Sequence, residues 1–329
     1  MNRYPSENPR PIILVVGTTC SGKTAFGVEL ARRFREEGVS LEIVGADARQ
    51  IYRGIGVGTA KPGMEERGGV PHHMLDVAEL GETFSAARYA DEASVCIEDI
   101  YRRGAYPLVV GGSGLYIRAL VEGFFDGPEA QPEIRERLEA EASRRGCAAM
   151  HERLAAVDPE TAAKLHPNDL RRVVRALEVY QATGRPVSRL RAEQKAPRFA
   201  SPLYIGLRYP SSVLAERIEF RVRRMLTGGM LEEVAMLAEM NLTDARVFEG
   251  LGFQEALALR RGQMTEDEAV HAISRLHRNY AKRQRTWFRR LKGVNWYDPG
   301  EQEPGVILEK AHDKVSRHLG LESRMEGSS

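Results

Sequence analysis

The chain has 329 residues, 42% of them hydrophobic and 29% charged, with a formal net charge of +2. That length suits one large core plus a smaller second unit, and the ordinary apolar share excludes a disordered or fibrous chain. No run approaches the roughly 18 consecutive apolar residues of a membrane span, and residues 1–10 lack the apolar block of a secretory signal, so a cytoplasmic location with no membrane partner is expected.

Residues 12–16 form the first apolar, β-branched run. Gly17-Thr18-Thr19-Cys20-Ser21-Gly22-Lys23-Thr24 follows it directly and precedes an amphipathic helical pattern. This fits G-x-x-x-x-G-K-[ST] in the strand-to-helix context that gives the motif its meaning. Glycines let the backbone wrap an anion, successive N–H groups and the helix N-terminus point positive dipoles at it, and Lys23 adds a charge. The Thr24 hydroxyl is placed to ligate Mg²⁺. An enzyme that grips a diphosphate or polyphosphate is expected, and nucleotides, ATP included, are the usual ligands of such a loop.

Two further buried-strand patterns, at 41–44 and 108–110, are each followed by a turn. P-loop enzymes of phosphoryl transfer generally hold Mg²⁺ with an acid at the end of a second strand. The strand at 108–110 supplies none and runs into Gly111-Gly112-Ser113-Gly114, a backbone-rich turn suited to close approach by a ligand. The acid stands instead at Asp47, after the strand at 41–44. In an open α/β sheet the carboxyl ends of neighbouring strands line one crevice, so Gly17, Asp47 and Ser113 are expected to converge. Asp47 reads either as a turn cap or as a base or hydrogen-bond acceptor for the attacking group.

Residues 124–200 carry helical periodicity and almost no strand signal. Within them Asn168 and Asp169 cap a helix whose stripe is Leu170, Val173, Leu177 and Tyr180, closed by Gly184 and Pro186. A strand pattern resumes at 203–207, and helices follow at 213–240, 252–261 and 265–292. The fold class is therefore α/β, a P-loop NTPase-like parallel sheet flanked by helices, with a helical insertion domain. Its expected parts are a discontinuous core at 11–123 and 201–298, the insertion at 124–200 and a polar C-terminal tail at 299–329.

Net charge conceals one local feature. Residues 269–297 contain no carboxylate yet carry Arg275, Arg278, Lys282, Arg283, Arg285, Arg289, Arg290 and Lys292. Such a run repels itself unless an anion lies against it, and nucleic acid is the commonest candidate. Trp287 and Phe288 interleave with it; at helical spacing they read as core rather than as base-stacking groups. Cys20, Cys96 and Cys147 are scattered, which argues against a disulfide framework or zinc site. His72-His73 has no third ligand at a familiar spacing.

Several segments resemble the bacterial tRNA dimethylallyltransferases. They are Ala46-Asp47-Ala48-Arg49-Gln50-Ile51-Tyr52-Arg53-Gly54, Gly58-Thr59-Ala60-Lys61-Pro62, Pro71-His72-His73-Met74-Leu75-Asp76, Phe84-Ser85-Ala86, and Val110-Gly111-Gly112-Ser113-Gly114-Leu115-Tyr116. His166-Pro167-Asn168-Asp169, Arg175-Ala176-Leu177-Glu178 and Ala281-Lys282-Arg283-Gln284-Arg285-Thr286-Trp287 continue the likeness in the family's order. The resemblance implies transfer of a dimethylallyl group from its diphosphate to N6 of the adenosine on the 3′ side of the anticodon, with diphosphate released. It implies Asp47 as the residue that assists N6, and Lys23, a Thr24-bound Mg²⁺, Arg217 and Arg221 on the diphosphate. It implies an interface for the tRNA anticodon stem-loop at Asp47, Ala48, Arg49, Gln50, Ser113, Arg135, Asp169, Leu170, Arg171, Arg172, Val173, Lys282, Arg283, Gln284, Arg285 and Arg289. A monomer is expected. Thr18, Cys20, Ala48 and Ser113 depart from the family's usual residues; none removes an anion donor or the Asp47 carboxylate. An isopentenyltransferase on free adenine nucleotides, a P-loop small-molecule kinase and a non-catalytic RNA-binding module are the alternatives. The cationic run disfavours the first, the missing strand-end acid the second and the phosphate loop the third.

Overall fold

The structure, a computed structural model, describes residues 10–123, 127–128, 131–193, 199–249 and 252–321. Among these, six strands form one parallel sheet: β1 (Pro11–Gly17), β2 (Leu41–Ala46), β3 (His72–His73), β4 (Tyr106–Gly111), β5 (Ala200–Leu207) and β6 (Val294–Tyr297), in the order β3-β2-β4-β1-β5-β6. The helices are α1 (Lys23–Glu36), α2 (Ala86–Arg102), α3 (Gly114–Glu122), α4 (Pro132–Val157), α5 (Pro159–Ala163), α6 (Leu170–Thr183), α7 (Val187–Ala192), α8 (Ser211–Met225), α9 (Leu231–Glu239), α10 (Phe253–Arg260), α11 (Glu266–Phe288) and α12 (Pro304–Leu319).

The expected α/β class is observed. Central strands covered on both faces must be apolar throughout, and Ile12 to Val16 are fully buried. Register aligns the strand ends: Val16 stands beside Gly111 and Gly206, and Gly111 beside Ala46. The segments leaving β1, β2 and β4 therefore start from one row. The strands β3 and β6 escaped the sequence reading because two and four residues carry too little periodicity, and Val294, Asn295 and Trp296 are only half-buried.

The chain divides into two compact units, one of residues 1–121 and 198–329 and one of residues 122–197. The edges of the expected insertion, at 124–126 and 194–198, and the last eight residues of the expected tail lie outside the described residues. In the first unit α1 and α12 pack on one face of the sheet, with Phe34, Ile13 and Val15 meeting Ile307, Ala311 and Val315. The supposed polar tail thus contains a core helix, whose apolar residues recur at i, i+4 and i+8. Gly320 ends it in the left-handed region at φ 66°. The reading of 213–240 as one helix also changes: α8 and α9 are separated by a wide turn over Leu226–Met230, where Gly229 sits at φ 118°.

In the second unit α4 and α6 enclose a small core of Leu138, Ala142, Met150, Leu154, Val173 and Leu177. Helix α4 is interrupted at Gly146, at φ 81° and ψ 165°. Asp169 does occupy the N-cap of α6, but its carboxylate pairs with Arg172 at 3.3 Å instead of a helix N–H. The buried stripe is Val173, Val174, Ala176, Leu177 and Val179, with Tyr180 half-exposed. The fully buried Glu178 is held by Arg135 at 2.8 Å and Arg175 at 2.9 Å.

Candidate active site at the carboxyl ends of the strands

The phosphate loop leaves β1 at Gly17, where side-chain space is absent: a Cβ there would stand 2.5 Å from Ser21 Oγ and 2.7 Å from the Leu207 carbonyl. Cys20 at φ 60° and Gly22 at φ 79° are both left-handed. Such alternation of right- and left-handed residues makes an anion nest. Thr18 Oγ1 and Ser21 Oγ are buried with no hydrogen-bond partner. Buried hydroxyls rarely go unpaired, and these line a loop shaped for an anion.

Cations gather around it. Lys23 Nζ donates to the Thr18 carbonyl at 3.3 Å. From α8, Arg217 Nε donates to the Cys20 carbonyl at 2.9 Å and stacks over Tyr209, while Arg221 donates to Thr19 Oγ1 and reaches His277 Nδ1 at 3.2 Å. Arg221 Nε is buried without a partner. Burial pushes the Lys23 ammonium below its ordinary pKa; Asp47 opposes that shift and Arg221 reinforces it. Positive charge this concentrated, with Lys23 and Arg221 half-buried, is stabilised by an anion.

On the neighbouring turn, Asp47 Oδ1 accepts from the Arg49 N–H at 2.9 Å. One oxygen of Asp47 thus closes a local turn, as a turn cap would, and the carboxylate also acts on the charge of Lys23. Of the residues expected to converge, Ser113 is linked to the Asp47 turn, donating its N–H to the Ala46 carbonyl at 3.1 Å and accepting at Oγ from the Ala48 N–H at 2.9 Å, while the Gly17 carbonyl would stand 3.1 Å from a Cβ on Gly112. Tyr280 of α11 is a hydrogen-bonding neighbour of Ser113. Burial, with Asp47 next in weight, pushes its phenol up to about 12. Sequence reading missed Tyr280 and His277, because a helix shows which residues share a face but not which turn of the sheet that face meets.

The glycines of the turn after β4 leave no room for side chains. A Cβ on Gly111 would lie 2.2 Å from the Ala46 carbonyl, on Gly112 2.4 Å from Gln284 Nε2, and on Gly114 2.3 Å from the Trp287 ring. The close approach is by the protein itself. Phe288 is buried, as expected for core, and Trp287 is half-buried over Gly114.

Other expected tRNA contacts occupy varied settings. Lys282, Arg283 and Arg289 are exposed on α11 or just beyond it, and half-buried Arg285 donates to Ser211 Oγ at 2.7 Å. Gln50 donates to the Ala60 carbonyl at 2.8 Å, and Arg49 to the Arg246 carbonyl. The loop carrying them is clamped by Glu233, whose carboxylate accepts from the N–H groups of Gly56, Val57 and Gly58 at 2.6–2.8 Å. Gln284 is the exception: it is 5% exposed and both ends of its amide are engaged internally. In the second unit Arg171 and Arg172 are exposed, while Arg135 is tied to Glu178. His73 pairs with Glu42 at 2.7 Å, and no cluster of three or more His, Cys, Asp or Glu suited to a metal occurs among the described residues. No helix among them is long and apolar enough to cross a membrane.

The IPP transferase family model matches residues 50–291. The tRNA dimethylallyltransferase of Anaeromyxobacter dehalogenans is 47% identical over 298 residues, covering 88% of this chain and 96% of that protein. That of Carboxydothermus hydrogenoformans is 38% identical, covering 94% and 97%. Among solved structures, the full-length tRNA isopentenylpyrophosphate transferase of Bacillus halodurans aligns with TM-score 0.68 and 35% identity, over 96% of this chain and 99% of its own. A eukaryotic dimethylallyltransferase acting on tRNA aligns with TM-score 0.73 and 30% identity, over 88% and 74%.

Proposed function

The chain belongs to the IPP transferase family, and from that premise we propose that it transfers a dimethylallyl group from dimethylallyl diphosphate to N6 of the adenosine 3′ to the anticodon in tRNA. The observation that carries this reading is the pairing, at the carboxyl ends of β1 and β2, of a cationic phosphate loop with Asp47, whose charge acts on Lys23. A kinase places its acid to hold a metal; this site sets a carboxylate beside an anion cradle, which suits an allylic donor and a weak nitrogen nucleophile.

The loop N–H groups, Lys23, Arg217 and Arg221 bind the diphosphate. As the C1–O bond of the donor lengthens, the departing charge falls on this fixed array, whose dipoles need no reorganisation. The N6–C1 bond forms while Asp47 accepts the hydrogen bond from N6, strengthening as the nitrogen becomes positive, and then takes its proton. Diphosphate is released and the proton passes to solvent.

Magnesium fits this donor set. The described residues offer no all-protein cage, but Mg²⁺ habitually takes one or two protein oxygens and completes its shell with phosphates and water. Thr24, half-buried at the start of α1, is the residue to hold it. Bound there, the ion would neutralise charge on the leaving diphosphate.

The exposed cations Lys282, Arg283 and Arg289 suit phosphate contacts with the anticodon stem, and Asp47 to Gln50 with Ser113 suit the adenine, which must be unstacked to be reached. Arg135 and residues 169–173 of the second unit belong to the same reading. The test is direct: purified protein with the donor, Mg²⁺ and unmodified tRNA yields prenylated adenosine beside the anticodon, seen by mass spectrometry of digested tRNA. Prenylation of free AMP but not tRNA would refute this assignment.

A further inference from the structure

Helix α11 presents two chemically distinct faces. Outward stand Lys282, Arg283 and Thr286; inward, at i, i+4, i+7 and i+11, stand His277, Ala281, Gln284 and Phe288, all buried. Gln284 is the one side-chain amide on that inner face. Its Oε1 accepts from the Thr19 N–H at 2.8 Å, and its Nε2 donates to the Gly112 carbonyl at 2.9 Å. Only one orientation of the amide makes both bonds, because the loop offers a donor and the glycine turn an acceptor.

The two groups it joins belong to opposite halves of the reaction. Thr19 is in the diphosphate cradle, and its hydroxyl is held separately by Arg221, which in turn meets His277 from the same helix. Gly112 immediately precedes Ser113, which holds the Ala48 N–H beside Asp47. The fit is close, since a Cβ on Gly112 would lie 2.4 Å from Gln284 Nε2. Burying an amide costs free energy unless every bond is made, and a position that merely filled space would carry an apolar residue like Ala281 or Phe288.

We infer that Gln284 is a positioning residue that holds the diphosphate cradle and the acceptor-base turn in register, rather than a contact for RNA. The inference rests on the proposed function for what the two halves bind. Its local content is that a buried amide sets the aim of the Thr19 N–H.

The test uses the full chain, with inorganic pyrophosphate and Mg²⁺ followed by calorimetry and unmodified tRNA followed by filter binding. At pH 8 the ionised carboxylate of Gln284→Glu cannot donate to the Gly112 carbonyl and sets a negative charge behind the cradle. Pyrophosphate affinity is expected to fall about tenfold or more, with tRNA affinity within about twofold of wild type. A carboxyl buried against a carbonyl has a raised pKa, so lowering the pH to 5.5 restores the donor. The variant-to-wild-type affinity ratio for pyrophosphate then climbs back toward one. Gln284→Met keeps the length of the side chain without its hydrogen bonds; it is expected to lose pyrophosphate affinity about fivefold at every pH, and it decides the matter if the Glu variant does not fold. Loss of tRNA affinity with pyrophosphate binding intact, or a pH-independent ratio in the Glu variant, overturns the inference. Wild-type protein that binds pyrophosphate but leaves tRNA unprenylated would refute the proposed substrates while leaving the cradle measurement to stand by itself.

Discussion

At the amino ends of the strands the charged groups neutralise one another. Glu42 of β2, 5% exposed in its side chain, takes His73 Nε2 and both Nη atoms of Arg103, and Tyr101 donates to the Pro11 carbonyl. At the carboxyl ends Thr18 Oγ1, Ser21 Oγ and Arg221 Nε are buried without partners, and Lys23, Arg217 and Arg221 crowd one loop. One sheet thus carries an end whose charges are paired and an end whose cations crowd a loop with unpartnered hydroxyls. The hydrogen bonding missing from the second is what a ligand would complete, so the first end is a place of stability and the second a place of function.

Asp47→Asn is the sharpest way to break that contrast. Loss of a positioned base is expected to cut single-turnover prenylation by about 10²–10⁴-fold, with tRNA and pyrophosphate affinities within about twofold of wild type. A comparable loss of tRNA affinity would make Asp47 a binding residue. Next in size, replacing Arg283, Arg285 and Arg289 together by Ala is expected to weaken tRNA binding at least about tenfold. The slope of log K against log salt should become shallower by about 2, as two or three phosphate contacts vanish; an unchanged slope would place the interface elsewhere.

A smaller effect reports on Lys23. Its pKa is held down by burial, so the free protein loses this charge as pH rises through a value below the usual 10.5. A bound diphosphate favours the charged form. Pyrophosphate binding is therefore expected to weaken severalfold as the pH rises toward alkaline values and to take up protons there, detected by calorimetry in buffers of different ionisation enthalpy. Lys23→Met should abolish the uptake.

The smallest effect belongs to the other end of the sheet. The Arg103 hydrogen bonds hold the Glu42 carboxyl below its ordinary pKa, ahead of the opposing effect of burial. The stability this contributes is fully present above the unfolded value near 4.5 and is lost as pH falls through the depressed one. Glu42→Gln is expected to lower the melting midpoint by about 2–4 °C at pH 7, with a gap to wild type that closes in acid and prenylation within about twofold. A large loss of turnover would show that the two ends are coupled.

Much of the site was legible because it is local. A phosphate loop is eight consecutive residues whose backbone makes the cradle, so Gly17 to Thr24 declare it without reference to the rest of the chain. Asp47 was legible as the first acid past an apolar strand, and the cationic run as an interval with no carboxylate. What failed was non-local. Gly111 to Gly114 show that something comes close but not what, and the approaching groups are Ala46, Gln284 and Trp287. Gln284 lies amid four cations and reads as one of a surface group, although at 100° per residue it faces inward. Helix α12 was passed over because Ile307, Ala311 and Val315 among many charges are a weak stripe until Phe34 is seen against them.

Composition, the strand runs and the phosphate loop by themselves pointed to a parallel α/β fold with a phosphate-binding loop at a strand end, since those properties depend on period and on neighbouring backbone groups. Tertiary structure alone decided which residue joins the phosphate loop to the glycine turn after β4. Thr19 and Gln284 are 265 positions apart, and only the folding of α11 against the strand ends gives a buried amide its two partners.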